Sequence, residues 1–260
     1  MRYTEAPARR AELLRRLSSE GYVSSAAVAE ELGVSEMTIR RDLRQLHVEG
    51  HARRVAGGAS LPTGGVRGAS FEQRDLSAAR EKAALAEFCA ERLAGARTVA
   101  LDAGTTVAGV AALLDSGTTV VTHSAPVIAT CTEREDLSLI ALGGTYLPET
   151  RAFTGQATRD GLARVSVDVA VLSATAVDAT GLLCANDVDA EIKQAMRASA
   201  RTAILLVDSS KIGARAPIRF GSLESIDVLI TGAGLRDDQR QLLGGVGEIV
   251  YVDLADEVAR

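Results

Sequence analysis

Tryptophan is absent from this 260-residue chain, and four Tyr and four Phe leave aromatics at 3%. So few flat rings argue against a single-strand nucleic-acid binder that stacks bases on aromatic platforms. Cysteine is scarce and odd in number. Cys89, Cys131 and Cys184 offer no C-x-x-C spacing, so neither a zinc knuckle nor a redox motif is supported. Reduced thiols in a cytoplasm are the simplest reading, with Cys184 placed in a loop and so less inert than the other two. The three His (His47, His51 and His123) are too scattered to form a metal set, and no cofactor is expected. Long apolar runs are missing as well. Met1 to Arg16 is interrupted by Glu5 and Glu12, and no stretch approaches the ~18 uninterrupted apolar residues of a membrane span. A cytoplasmic location is expected. What remains, 47% hydrophobic and 24% charged residues, is the composition of a soluble globular protein.

The formal net charge of −5 is an average over two unlike parts. Residues 1–60 hold ten Arg, no Lys and eight acidic residues, a net of +2. Residues 61–260 hold nineteen basic and twenty-six acidic residues, a net of −7. A slightly basic head on an acidic body is what a nucleic-acid module beside a separate soluble domain would give.

The head carries local signals in register. Leu13, Leu14 and Leu17 make an apolar stripe at helical spacing over 8–18, and Gly21 ends that helix. Ser24 or Ser25 caps a second helix with Val28, Ala29 and Leu32 inward, and Gly33 supplies a left-handed turn. Ser35 is the cap of a third helix over 36–48, which buries Ile39, Leu43 and Leu46 and presents Met37, Thr38, Arg40, Arg41 and Arg44. Two helices joined by a Gly turn, with Arg and Thr on the second, form a helix-turn-helix that enters the major groove of double-stranded DNA. Gly50 and Gly57-Gly58 bracket a short hairpin over 51–56, a wing whose Arg53 and Arg54 reach backbone phosphates. The bland alternative is a solvated face in which the arginines pair with Glu36, Asp42 and Glu49.

Arg9, Leu13 and Leu17, followed by Ser35, Thr38, Ile39, Arg40, Arg41, Asp42 and Leu43, resemble in spacing the N-terminal signature of the DeoR family of bacterial transcriptional regulators. The wing ending in Gly57-Gly58-Ala59 is similar too, although the family usually has His where this chain has Ala56. The resemblance implies that Thr38, Arg40 and Arg41 lie at the DNA, flanked by Arg53 and Arg54.

The domain organisation expected is a winged helix-turn-helix over 1–59, a Pro- and Gly-containing connector over 60–70, and an α/β domain over 71–260. A long helix is expected from Phe71 to about Leu93. Near-continuous apolar runs at 98–101, 119–122, 138–142, 167–172, 202–207, 228–231 and 248–252, with helical stretches between, predict a mostly parallel sheet covered on both faces. Ligands of such sheets bind outside the carboxyl ends of the strands. The residues there are Asp102-Ala103-Gly104-Thr105-Thr106, His123-Ser124, Gly143-Gly144, Ser173-Ala174-Thr175, Asp208-Ser209-Ser210-Lys211 and Gly232-Ala233-Gly234. Gly104 would admit a ligand to the backbone, Thr105 and Thr106 open a helix whose N–H groups favour an anion, Lys211 adds charge, and Asp102 and Asp208 would accept sugar hydroxyls. A small phosphorylated polyol suits that set.

These residues also resemble the C-terminal sensor domain of the DeoR family, through Glu81-Lys82, Leu101–Thr106, Thr122–Ser124, Gly143-Gly144, Gly155, Gly181-Leu182, Glu191–Met196 and Asp208–Lys211. The family usually has Asn in place of His123, often a Gly-containing turn at Ser173–Thr175, and commonly Thr-Asp at Thr231-Gly232. The resemblance implies a fold related to ribose-phosphate isomerase, used to sense phosphorylated sugars, and adds Glu191 and Lys193 to the effector-binding candidates. It implies a repressor of carbohydrate-metabolism genes. The alternative is an isomerase-like enzyme carrying a DNA-binding domain, with Glu191 beside Lys193, or Asp102, moving the proton. Against it, Glu191 and Lys193 can be read as a helix-terminal acid and an exposed base, and no catalytic residue is assigned. A homo-oligomer is expected, because one small head makes too few contacts for high specificity.

Overall fold

A computed structural model describes residues 6–20, 22–48, 51–55, 57–60, 71–76 and 78–254. The expected breaker Gly21, the wing residues Gly50 and Ala56, and the connector from 61 to 70 lie outside them. The chain divides into two compact units, Met1–Ala69 and Ser70–Arg260.

In the first unit, helix α1 (Ala6–Glu20) leads into strand β1 (Tyr22–Ser24), then helices α2 (Ser25–Leu32) and α3 (Glu36–Val48). Ser24 ends the strand and caps α2, accepting from the Ala27 N–H at 3.4 Å. Gly33, at φ +66°, closes α2 by directing its N–H back to the Ala29 and Glu30 carbonyls. Strands β2 (Arg53–Val55) and β3 (Gly58–Ser60) complete a three-stranded antiparallel sheet in the order β1-β3-β2. The hairpin expected over 51–56 is therefore shifted: its second arm starts at Gly58, expected to bracket it, and ends at Ser60, expected in the connector, and β1 adds a third strand. A side chain at Gly58 would begin 1.9 Å from the Val23 carbonyl oxygen, so close pairing requires glycine there. Leu13, Leu17, Val23, Ile39, Leu43 and Leu46 bury at most 2% exposed in one core.

The second unit opens with two helices, α4 (Phe71–Leu76) and α5 (Ala79–Arg92), not the single long one expected. The break is at Ala78, a non-glycine residue at φ +53°. Parallel strands then alternate with helices: β4 (Thr98–Leu101), α6 (Thr105–Val110), β5 (Thr119–Thr122), α7 (Ala125–Thr132) and β6 (Ser138–Ala141). A hairpin of β7 (Thr145–Leu147) and β8 (Ala152–Thr154) and helix α8 (Gln156–Ala163) precede β9 (Val167–Leu172). Strands β10 (Ala176–Asp178) and β11 (Gly181–Cys184), helix α9 (Asp187–Ala198), β12 (Ala200–Leu206), β13 (Ile218–Gly221), β14 (Val228–Gly232), α10 (Asp237–Gln241) and β15 (Glu248–Val252) follow. Seven strands form one parallel sheet in the order β15-β14-β12-β9-β4-β5-β6, as the apolar runs predict. Both faces are buried: Val99, Leu101 and Val171 enter one core, and Ala100 and Ala170, one residue out of phase, enter the other. The antiparallel β10-β11-β13 sheet and the β7–β8 hairpin are additions that sequence reading missed. Cys184 therefore sits buried in a strand, not in the loop expected, and burial pushes its thiol up to about 12, so it is not the less inert cysteine expected. No helix of the described residues is long and apolar enough to cross a membrane.

Candidate functional site

The DNA-facing candidates lie on α3. Ser35 accepts from the Thr38 N–H at 3.2 Å and lies 2.8 Å from the Thr38 hydroxyl, which fixes the first turn. Asp42 points inward to a nearly buried ion pair with Arg9 of α1 at 2.5 Å, so it is not available to neutralise the outer arginines. Of these, Arg40 pairs with Glu36 at 2.7 Å on the exposed face. Arg41 and Arg44 are exposed and have no ion pair among the described residues, and Met37 is 74% exposed. Arg10 of α1, which sequence reading missed, shares a recess with Met37, Thr38, Arg41 and Gln45. Arg53 and Arg54 have their backbones in β2; their side chains lie outside the described structure.

The other candidate site is fixed by strand order. Strands β4, β5 and β6 run outward from β4 in one direction, and β9, β12, β14 and β15 run outward in the other. The loops after β4 and β9 therefore diverge and leave a crevice between them. Asp102 at the end of β4 is fully buried there. Its Oδ2 accepts from the Ser173 N–H at 2.8 Å, the Ser173 hydroxyl at 2.6 Å and Lys193 Nζ at 2.5 Å. Its Oδ1 lies 3.2 Å from His123 Nε2, and His123 Nδ1 lies 2.8 Å from the Phe153 carbonyl oxygen.

Lys193 is 3% exposed on α9 and also reaches Ser173 Oγ at 3.1 Å and Asp189 at 3.6 Å. Burial alone would raise the Asp102 carboxyl, but Lys193 and His123 outweigh it and hold it well below the usual range. Burial alone would lower Lys193; Asp102 and Asp189 override that and keep it charged. Asp189 is pushed upward, chiefly by burial, against the pull of Lys193.

Above this cluster is a cavity of about 70 Å³, room for several waters or one small ligand. Gly104, Thr105, Thr106, Ser173, Ala174 and Thr175 wall it on the β4 and β9 side, and Asp189 and Lys193 line it from α9. Asp208 and Lys211 contribute from the turn after β12, and Arg74 and Thr150 also line the cavity. That turn is held from behind by Glu81 of α5, which accepts from the Ser209 N–H at 2.7 Å and its hydroxyl at 3.1 Å. Gly232 leaves room for the same carboxylate: a side chain there would start 2.1 Å from Glu81 Oε1.

Residues 9–64 match the DeoR-like helix-turn-helix domain, and residues 77–233 match the DeoR C-terminal sensor domain. The HTH-type transcriptional regulator GlpR of Haloferax volcanii is 33% identical over 254 residues, covering 97% of this chain and 98% of that one. The glycerol-3-phosphate regulon repressor of Escherichia coli is 32% identical over 224 residues, covering 85% and 88%. This chain belongs to the DeoR family of transcriptional regulators. Among solved structures, a ribose-5-phosphate isomerase in complex with phospho-erythronic acid aligns at TM-score 0.37 and 22% identity over 50% of this chain and 52% of that one.

Within this DeoR-family sensor domain the expected effector residues separate into three groups. Thr105, Thr106, Lys193, Asp208 and Lys211 line the cavity, as does Gly104. Gly104 nevertheless has a structural reason of its own, because a Cβ there would lie 2.4 Å from Ser173 Cβ. Asp102, His123 and Ser124 are buried outside the lining; Asp102 is not a sugar-hydroxyl acceptor but the anchor of Lys193 and Ser173. Gly143, Gly144 and Glu191 are away from the cavity. The Gly143 carbonyl accepts from Thr158 Oγ1 at 2.8 Å, and a side chain at Gly144 would meet the Thr154 carbonyl oxygen at 2.4 Å. Glu191 is exposed and pairs with Arg159 at 2.5 Å, whereas Lys193 is far from the exposed base expected. Asp189 was missed, although it stands four residues before Lys193 on the α9 face that buries Ile192 and Met196. Arg74 and Thr150 gave no sequence signal.

Proposed function

We propose that this chain is a ligand-responsive repressor. In this reading α3 occupies the major groove of an operator through Thr38, Arg40, Arg41 and Arg44, and Arg53 and Arg54 contact flanking phosphates. A phosphorylated sugar or related small anion binds at the strand-end cavity and weakens DNA binding, and the chain acts as a homo-oligomer that presents two or more heads. The observation that carries the effector reading is the buried Lys193, kept charged by Asp102 at the cavity wall, with a second ammonium group, Lys211, in the same lining. Charge-assisted bonds from such donors favour phosphate or carboxylate oxygens.

A thermal-shift screen should begin with glycerol 3-phosphate and ribose 5-phosphate. A ligand present at 100 times its Kd adds about 2.7 kcal/mol to folding stability, enough to read as a shift of several degrees. The same ligand should weaken operator binding in a fluorescence anisotropy titration. One observation favours an enzyme instead: Asp189 is a cavity-lining carboxylate whose affinity for its proton is raised by burial. NMR of the protein with the same sugar phosphates decides between the readings. Sustained isomerisation that is lost in Asp189→Asn would replace the sensor by a catalyst.

A further inference from the structure

Two cavity-lining groups come from neither a strand end nor α9. Arg74 belongs to α4, the first helix after the stretch of chain from 61 to 70 that joins the DNA-binding unit to the second unit. Thr150 belongs to the turn between β7 and β8, and its Oγ1 is a buried hydroxyl with no hydrogen-bond partner in the structure. A buried hydroxyl without a partner, on a residue that lines a cavity, carries a desolvation cost that a hydrogen bond to a bound ligand would relieve. The two are joined through Phe71. Its ring is buried, with the Arg74 guanidinium 5.8 Å from its centroid and the guanidinium of Arg151, next to Thr150, 5.4 Å from it. Lys82 Nζ donates to the Arg74 carbonyl and ties α4 to α5. Ala78 and Arg151 are the two non-glycine residues with positive φ among those described, and they stand beside this assembly, one after α4 and one after Thr150. Backbone strain of that kind persists where surrounding contacts enforce it, and it clusters at ligand clamps and switches.

We infer that Arg74 and Thr150 are ligand contacts of the cavity, and that an anion held between Arg74 and Lys211 fixes α4 and, through it, the start of the tether to the DNA-binding unit. This rests on the reading of the cavity as an anionic effector site. It adds which residues close on the ligand and by which element occupancy is passed along the chain.

The test uses the full chain, with inorganic phosphate and glycerol 3-phosphate as probes against sodium chloride of equal ionic strength. Melting temperature reports binding, and hydrogen exchange of the α4 amides reports coupling. Binding should slow α4 exchange at least about fivefold, the low end of an allosteric coupling. Arg74→Ala should weaken probe affinity about tenfold or more, with partial recovery in Arg74→Lys. Phe71→Ala and Arg151→Gly should still melt later with the probe while their α4 exchange no longer responds. Arg151→Gly also relaxes a left-handed residue, which guards against a simple folding defect. A melting response with unchanged α4 exchange overturns the coupling and leaves the effector reading standing. Unchanged affinity in Arg74→Ala overturns the contact. No melting response to either probe in the wild type overturns the effector reading and this inference together.

Discussion

Asp102 has both carboxylate oxygens engaged by the chain itself, by Ser173, Lys193 and His123. Truncating one partner of a buried ion pair leaves the other charge uncompensated, at a cost of about 3–5 kcal/mol. Asp102→Ala should therefore lower the unfolding free energy by that amount, read as a lower urea midpoint at an unchanged m-value. The pH dependence has a definite sign. Asp102 titrates below its unfolded value, so its contribution is complete above about pH 5 and is lost as pH falls below about 4. Lys193 titrates above its unfolded value, so its share is complete below about pH 10 and lost above. The stability gap between wild type and Asp102→Ala should be flat from about pH 5 to 9 and shrink at both ends. A gap that stayed constant below pH 4, or widened there, would contradict this assignment. The residue itself was legible, because Asp102-Ala103-Gly104 follows an apolar run. Its role was not: its partners stand 21, 71 and 91 positions away, and spacing along a chain carries no trace of such contacts.

Where an element is specified by its own few residues, the sequence was enough. Ser24 and Ser35 as caps, Gly33 as a left-handed stop and the Ile39–Leu43–Leu46 stripe set α2 and α3 locally. The break between α4 and α5 was illegible because Ala78 carries no breaker signal; tertiary contacts impose its conformation. Strand β1 was lost because three residues before a helix show no periodicity. Two element-level predictions follow from contacts that cross between elements. Arg9→Ala should cost about 3 kcal/mol, because Asp42 would be left buried beneath α3. Hydrogen exchange should locate that loss in α1 and α3. Gly104→Ala should cost about 1–3 kcal/mol as the start of α6 is pushed off the loop after β9, with Ser173 as the obstacle. Measured against Ser173→Gly alone, which already lacks the hydroxyl bonded to Asp102, adding Gly104→Ala should cost much less, and an equal cost in both backgrounds would mean that the backbone, not the Ser173 side chain, sets the limit.

For the whole molecule, the seven-strand sheet was legible as a list of runs, but its order was not, and the order is what opens a crevice between β4 and β9. The charge split between residues 1–60 and 61–260 was legible, and it bears on how the two functions combine. Beyond about 8 Å at physiological salt an acidic body is screened from DNA, so DNA affinity there reflects the few cations in contact. On a mixed-sequence duplex, where α3 meets no cognate bases and Arg44 neutralises a phosphate, Arg44→Ala should reduce the slope of log affinity against log salt by about 0.9, one released counterion. Lys211→Ala, in the other compact unit, should leave that slope unchanged without ligand. Because the two residues share no partner, their effects on ligand-free DNA affinity should add within about 0.5 kcal/mol in the double variant. Additivity would mean that occupancy of the cavity, not its empty geometry, links the units. A larger interaction term would mean that the ligand-free protein already transmits the state of the Asp208–Lys211 turn to its DNA-binding helix, and the ligand then shifts a coupling already in place.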